Sequence, residues 1–207
     1  MKRYVAIAIG LLMLTAISTT SLRAATFPEC PAVGSDTGGC EFLITVTAVN
    51  AAGAGTAFTV AASSPDLGPY DGSDDTLVGL LNSSSGTLKS VGLTSTLDIF
   101  GFDGDGACDG AYAPGPTAAQ CLGGAYQTSD PGDYESVGAK FTGINAAQTS
   151  GIVNVNLASG GSTWFSLENE LTVSSITPST VPEPGTIILT ATGLSALFLR
   201  RRRKVSV

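Results

Sequence analysis

From residue 26 to residue 178 no stretch of this chain sustains an apolar period near 3.6, the repeat that lays one hydrophobic face along a helix. Apolar side chains come instead in short runs separated by Gly, Asp, Ser and Pro, and such runs bury their side chains most readily as strands. In Glu41 to Val49 (EFLITVTAV), Phe42, Ile44 and Val46 fall on one face and Leu43, Thr45 and Thr47 on the other. Further strands are expected over Thr56 to Ala61, Thr76 to Leu81, Leu88 to Thr94, Leu97 to Phe102, Lys140 to Ile144, Gly151 to Leu157 and Thr163 to Leu167. Leu171 to Ile176 is a candidate for one more. About eight short strands at this spacing predict an all-β fold, a single antiparallel β-sandwich or jelly-roll-like domain. At 207 residues the chain suits one domain with a core of its own, and no internal repeat of fixed period argues for a solenoid.

Four cysteines, Cys30, Cys40, Cys108 and Cys121, stand in loop-like contexts. In an exported chain they imply two disulfides, for which three connectivities exist. Cys30–Cys40 with Cys108–Cys121 is favoured, because each closes a short local loop. A Cys₄ zinc site would lack the close C-x-x-C pairs such sites use.

Charge is distributed unevenly. Three of the ten basic residues lie in the first 25 positions and five in the last eight. Between these ends all 17 acidic residues, Glu29 to Glu183, face only Lys89 and Lys140, a formal charge of −15. That field repels phosphates and anionic lipid, which excludes nucleic acid and anionic membrane as partners of the body.

Both ends read as targeting segments. Met1-Lys2-Arg3, the apolar run Val5 to Ile17 and the small residues before Ala24 and Ala25 form a signal peptide over 1–25, with signal peptidase cleavage expected after Ala24. At the other end Val181-Pro182-Glu183-Pro184-Gly185 precedes the apolar stretch Thr186 to Leu199 and the basic cluster Arg200 to Lys204. That stretch reaches only about 21 Å as a helix, short of the ~30 Å hydrocarbon core, and suits a transient anchor in the inner membrane. The arginines place its end in the cytoplasm and the acidic body outside.

The Pro182-Glu183-Pro184 triplet, the short apolar helix and the terminal basic cluster resemble the PEP-CTERM sorting signal of Gram-negative bacteria. The resemblance implies that a membrane enzyme, the exosortase, cuts near the tripeptide and releases or transfers the body. It also implies a genome that makes exopolysaccharide, and a place at the cell surface or in the extracellular matrix. The triplet would be a substrate, held extended by its two prolines. The organisation expected is a signal peptide over 1–25, a β-rich extracytoplasmic domain over 26–178, and a sorting signal over 179–207, with a Thr/Ser/Pro linker from Thr177 to Pro182 across the last boundary. The phrases YDGSDDTLVGLLN, DIFGFDGDG and TWFSLE are also similar to a module of exported, anchored bacterial proteins without assigned function, over about Cys40 to Val173.

Two acidic, glycine-rich segments stand out, Tyr70 to Thr76 and Asp98 to Gly110. In the second, Asp103, Asp105 and Asp109 are spaced to turn several oxygens toward one hard cation, with calcium the candidate. The pattern is not an EF-hand, and Asp-Gly pairs are equally the signature of hairpin turns, so turn and metal readings both stand.

Catalytic equipment is thin. Without histidine there is no Ser-His-Asp or Cys-His arrangement, and no glycine-rich phosphate loop opens a helix. Glu168 and Glu170 are carboxylates two positions apart, on one face if a strand continues there, and solvated charges serve as well as a glycosidase pair. Trp164 in a β-rich run reads as core. Tyr112, Tyr126 and Tyr134 lie in the long irregular segment Ala107 to Ser136 and are expected to be exposed. The function expected is a non-catalytic surface or matrix protein with a structural or interaction role. The alternative is a carbohydrate-binding module for exopolysaccharide, with or without calcium.

Overall fold

The structure is a computed structural model that describes residues 27–36 and 38–181. The expected signal peptide, the Pro182-Glu183-Pro184 triplet and the apolar C-terminal helix lie outside the described residues, among which no helix is long and apolar enough to cross a membrane. Among the described residues there are eight strands: β1 (Phe42–Val49), β2 (Gly55–Ala62), β3 (Thr76–Asn82), β4 (Leu88–Ser95), β5 (Lys140–Thr142), β6 (Ser150–Leu157), β7 (Ser162–Leu167) and β8 (Ile176–Ser179). They form two four-stranded sheets, β2-β1-β3-β7 and β5-β6-β4-β8. Three single 3-10 turns, at Ala118–Gln120, Leu122–Gly124 and Gly132–Tyr134, are the only helical elements described.

The two sheets share one core. From the first come Phe42, Ile44, Val46, Val78, Leu80, Phe165 and Leu167; from the second come Val91, Leu93, Phe141, Val153, Val155 and Ile176. Each set is the inward half of a period-2 alternation. The corner between β3 and β4, where the chain changes sheets, is pinned by the buried Asn82. Its Nδ2 donates to Gly86 O (2.8 Å) and Leu157 O (2.9 Å), and its Oδ1 accepts from Ser84 Oγ (2.6 Å).

The architecture departs from the sequence expectations in three places. The pairing is not wholly antiparallel, since β1 and β3 run parallel from Phe42–Val78 to Val46–Asn82. β2 folds back along one edge of β1, and residues 63–75 then carry the chain to the other edge, a crossover that leaves β3 running with β1. Leu97 to Phe102 is a turn rather than a strand: Gly101 N donates to Asp98 O (2.6 Å), which drops Ile99 and Phe100 into the core from a loop. The candidate strand Leu171 to Ile176 is a turn as far as Ser175, whose N–H donates to Thr172 O (2.9 Å); β8 begins at Ile176 and takes in the first three residues of the stretch read as a linker from Thr177, paired with β4 from Gly92–Ser179 to Ser95–Ile176.

The first sheet is also covered on its other face. Leu43, Leu77 and Trp164, the outward residues of β1, β3 and β7, pack with Phe27, Cys30, Val33, Cys40, Tyr70, Ala107, Cys108 and Cys121 in a second, smaller core. This explains why β3 is apolar at nearly every position: a strand buried on both faces has no polar side to show. Both disulfides belong to the covering segments, with Cys30 joined to Cys40 (Cα–Cα 4.8 Å) and Cys108 to Cys121 (5.7 Å). Gly79, in the middle of β3, lets the N-terminal segment lie flat. A Cβ there would sit 2.5 Å from Cys40 Sγ and 3.2 Å from Glu29 Cβ. Gly79→Ala is therefore expected to destabilise the protein by about 1–3 kcal/mol in denaturant unfolding.

Glu41, at the entrance to β1, is a buried acid whose Oε2 has no hydrogen-bond partner. Burial, reinforced by the charges of Asp66, Asp36 and Glu170, pushes its carboxyl up to about 8, and burial raises Asp36 to about 6. A carboxyl raised above its ordinary ~4.3 favours the folded state while protonated. Its stabilising effect is complete below about pH 4 and is lost as pH climbs through about 8. Melting temperature should fall between pH 5 and pH 9, and Glu41→Gln should flatten the upper part of that fall.

Candidate functional site

The candidate site gathers where β3 begins and β7 ends. These strands pair antiparallel with Thr76 opposite Leu167, so Asp75 and Glu168 stand side by side just beyond the ladder. Asp71 shapes the approach to β3: its Oδ1 accepts from the backbone N–H groups of Ser73 (3.0 Å), Asp74 (3.1 Å) and Asp75 (3.0 Å). Asp103 and Asp105 arrive from the loop after β4. Tyr134 arrives from the 3-10 turn Gly132–Tyr134, whose successor Glu135 bridges to Phe165 of β7.

Two triads of carboxylate oxygens result, Asp74 with Asp75 and Glu168, and Asp103 with Asp105 and Glu168, each within 4.8 Å mutually. Glu168 belongs to both. Two tyrosine hydroxyls reach into the group. Tyr70 Oη donates to Asp75 Oδ2. Tyr134 Oη lies 2.7 Å from Asp105 Oδ1, 2.9 Å from Glu168 Oε2 and 3.3 Å from Asp103 Oδ1. A phenol has one proton to give, so it satisfies one of these contacts and leaves the others short of a donor.

The electrostatics reflect that shortage. Two carboxylates ~4.8 Å apart repel by about 3 kcal/mol at an effective dielectric of ~20. Burial pushes the Asp75 carboxyl up to about 9, opposed by the Tyr70 hydrogen bond and reinforced by Asp105, Glu168 and Asp71. Burial likewise raises Glu168 to about 7, against the Tyr134 hydrogen bond and with Asp103, Asp74 and Asp105 adding repulsion. Asp103 is raised by its hydrogen bond with Asp105 and then by burial. Asp105 is held low despite its burial, because Asp103 and Tyr134 hydrogen-bond to it. Burial raises the Tyr134 phenol well above its ordinary value, with Asp105 and Asp75 next in effect.

The residues singled out in the sequence divide in the structure. Asp103 and Asp105 come together, whereas Asp109 turns away, its Oδ1 accepting from Ala111 N (2.5 Å). Asp74, Asp75 and Glu168 join from the other acidic segment and from the end of β7. Glu168 and Glu170 do not share a face, because Asn169 has a positive φ of 75° that breaks the alternation; Glu168 is buried and Glu170 exposed. Tyr134 is fully buried, contrary to expectation. Tyr112 is half-buried, edge-on to Tyr70 at 5.1 Å between centroids, and Tyr126 is exposed. Trp164 is core, though of the second core rather than the first. The sign that Tyr134 matters was absent from the sequence, where it is one of three tyrosines in an irregular segment.

Residues 180–203 match the family described as the PEP-CTERM protein-sorting motif. No curated protein and no solved structure matches the chain. The chain is thus a PEP-CTERM domain-containing protein, and the motif marks it as an exosortase-targeted extracellular protein. The matched residues begin directly after β8, which ends at Ser179.

Tyr134→Phe removes the one hydroxyl that touches three of the carboxylates. Loss of that buried donor is expected to cost about 1–3 kcal/mol, read from urea unfolding in chelator.

Proposed function

We propose that this protein is a non-catalytic component of the cell surface or extracellular matrix, delivered by exosortase sorting, with a structural or interaction role. The observation that carries the proposal is the abutment of the last strand on the sorting motif. Only Thr180 and Val181 separate Ser179, the end of β8, from Pro182, so cleavage near the Pro182-Glu183-Pro184 triplet would deliver the folded domain whole.

The rest of the molecule supports the same role. Two disulfides and a second core brace the domain for an oxidising exterior. The groove of about 200 Å³ beside β4, β6 and β8 is lined by Gly92, Thr94, Gly143, Ser150, Ser179 and their neighbours, none of them a titratable acid or base. Carbohydrate binding by aromatic stacking finds little support, since Trp164 and Tyr134 are buried and only Tyr126 of the tyrosines considered is exposed.

In cells, replacing residues 182–184 by alanines should retain an unprocessed chain in the membrane fraction, while the native chain appears as a shorter species at the surface or in the matrix. Immunoblots of the fractions read the difference, and an identical distribution would count against sorting. Incubation of the purified protein with the producer's exopolysaccharide should release no sugar; turnover abolished by a single carboxylate-to-amide change would overturn the non-catalytic role.

A further inference from the structure

The carboxylate cluster at the β3–β7 end has more close oxygen contacts than protons to fill them. Asp75 is 1 % exposed, and its carboxylate is turned into the cluster. Tyr70 satisfies Oδ2, and Oδ1 is buried without any hydrogen-bond partner. Glu168, 8 % exposed, offers its oxygens to both triads. The body's two lysines stand in the other sheet, Lys89 on β4 and Lys140 on β5. A buried acceptor left bare among four further carboxylates marks a place for a cation.

We propose that Asp74, Asp75, Asp103, Asp105 and Glu168 form a calcium site that ties the loop carrying Asp103 and Asp105 to the paired ends of β3 and β7. The donors are all oxygens. The chain has no histidine, and its four cysteines are locked in disulfides, so soft and borderline metals lack their ligands. Oxygens up to 4.8 Å apart match ligands on opposite sides of an ion bound at 2.3–2.6 Å, the calcium distance. The two triads, drawn from three separate segments and sharing Glu168, form an irregular set of donors, which calcium accepts at 6–8 ligands and magnesium, with its octahedral demand, does not. The ion supplies the positive charge that the single proton of Tyr134 cannot. The site would hold it whichever role the domain plays outside the cell.

The test uses the full chain with its disulfides formed, stripped of metal by a chelator and titrated with calcium chloride. Calorimetry should show saturable binding with a dissociation constant between ~10⁻⁶ and ~10⁻³ M, and the melting temperature should rise with calcium concentration. Asp105→Asn, Glu168→Gln and Asp75→Asn should each weaken binding by roughly tenfold or more, while their melting temperatures in chelator stay at or above that of the native chain. This last readout separates loss of the site from loss of the fold, because each amide keeps the side chain's shape and adds no charge to the cluster. Asp109→Asn, at a residue that only caps its own turn, should leave affinity unchanged. Absence of heat with an unmoved melting temperature at about 10 mM calcium would overturn the site. So would affinity that survives in Asp105→Asn and Glu168→Gln, and an equal response to magnesium would overturn the assignment to calcium.

Discussion

The antiparallel ladder between β3 and β7, from Thr76–Leu167 to Leu81–Ser162, is the contact on which the other features of this domain depend. It joins residues some 90 positions apart, and closing so long a loop carries an entropic cost that only extensive burial offsets. Burial is available on both sides. Val78, Leu80, Phe165 and Leu167 face the second sheet, while Leu77 and Trp164 face the covering segments. A central strand with two buried faces also needs room, and Gly79 supplies it where the Cys40 sulfur comes closest. The same ladder sets Asp75 beside Glu168.

The covering layer makes this more than a two-sheet sandwich. The segment with Cys30 and Cys40 and the long loop with Cys108 and Cys121 have little regular structure to hold them. Each is closed by a disulfide and anchored by buried side chains against the outer face. The loop ends by running beside β7, where Glu135 bridges to Phe165 and Tyr134 enters the main core. Acidic groups drawn into this layer lose water without gaining cationic partners, which is why Glu41, Asp75 and Glu168 all hold their protons more tightly than usual. Acids turned inward in this way tie the stability of the domain to the acidity of its surroundings.

Legibility in the sequence followed the range of the interaction. Seven of the expected strands appear because period-2 patterning is a local property, visible in Phe42-Leu43-Ile44 or Thr163-Trp164-Phe165 without knowledge of partners. Leu97 to Phe102 misled for the same reason: its apolar residues are core, but they reach it from a turn closed by Gly101 and Asp98, and hydrophobicity alone does not separate the two. The short-range cysteine pairing was open to sequence reasoning since loop closure favours near neighbours. The direction of β3 relative to β1 was not, because nothing in either strand records where a loop of 13 residues will deliver the chain.

By itself the sequence determined the all-β character, the strand faces, the acidity of the body and the sorting motif over residues 180–203, all of which are written in consecutive residues. Only the tertiary structure decided which acids meet. Asp109 is four residues from Asp105 and yet faces elsewhere, while Glu168 is 63 positions away and joins it, together with Tyr134. The physical reason is that strand pairing and loop closure, rather than spacing along the chain, set the distances between side chains. Burial then turned what reads as a row of soluble turn aspartates into a crowded site short of positive charge.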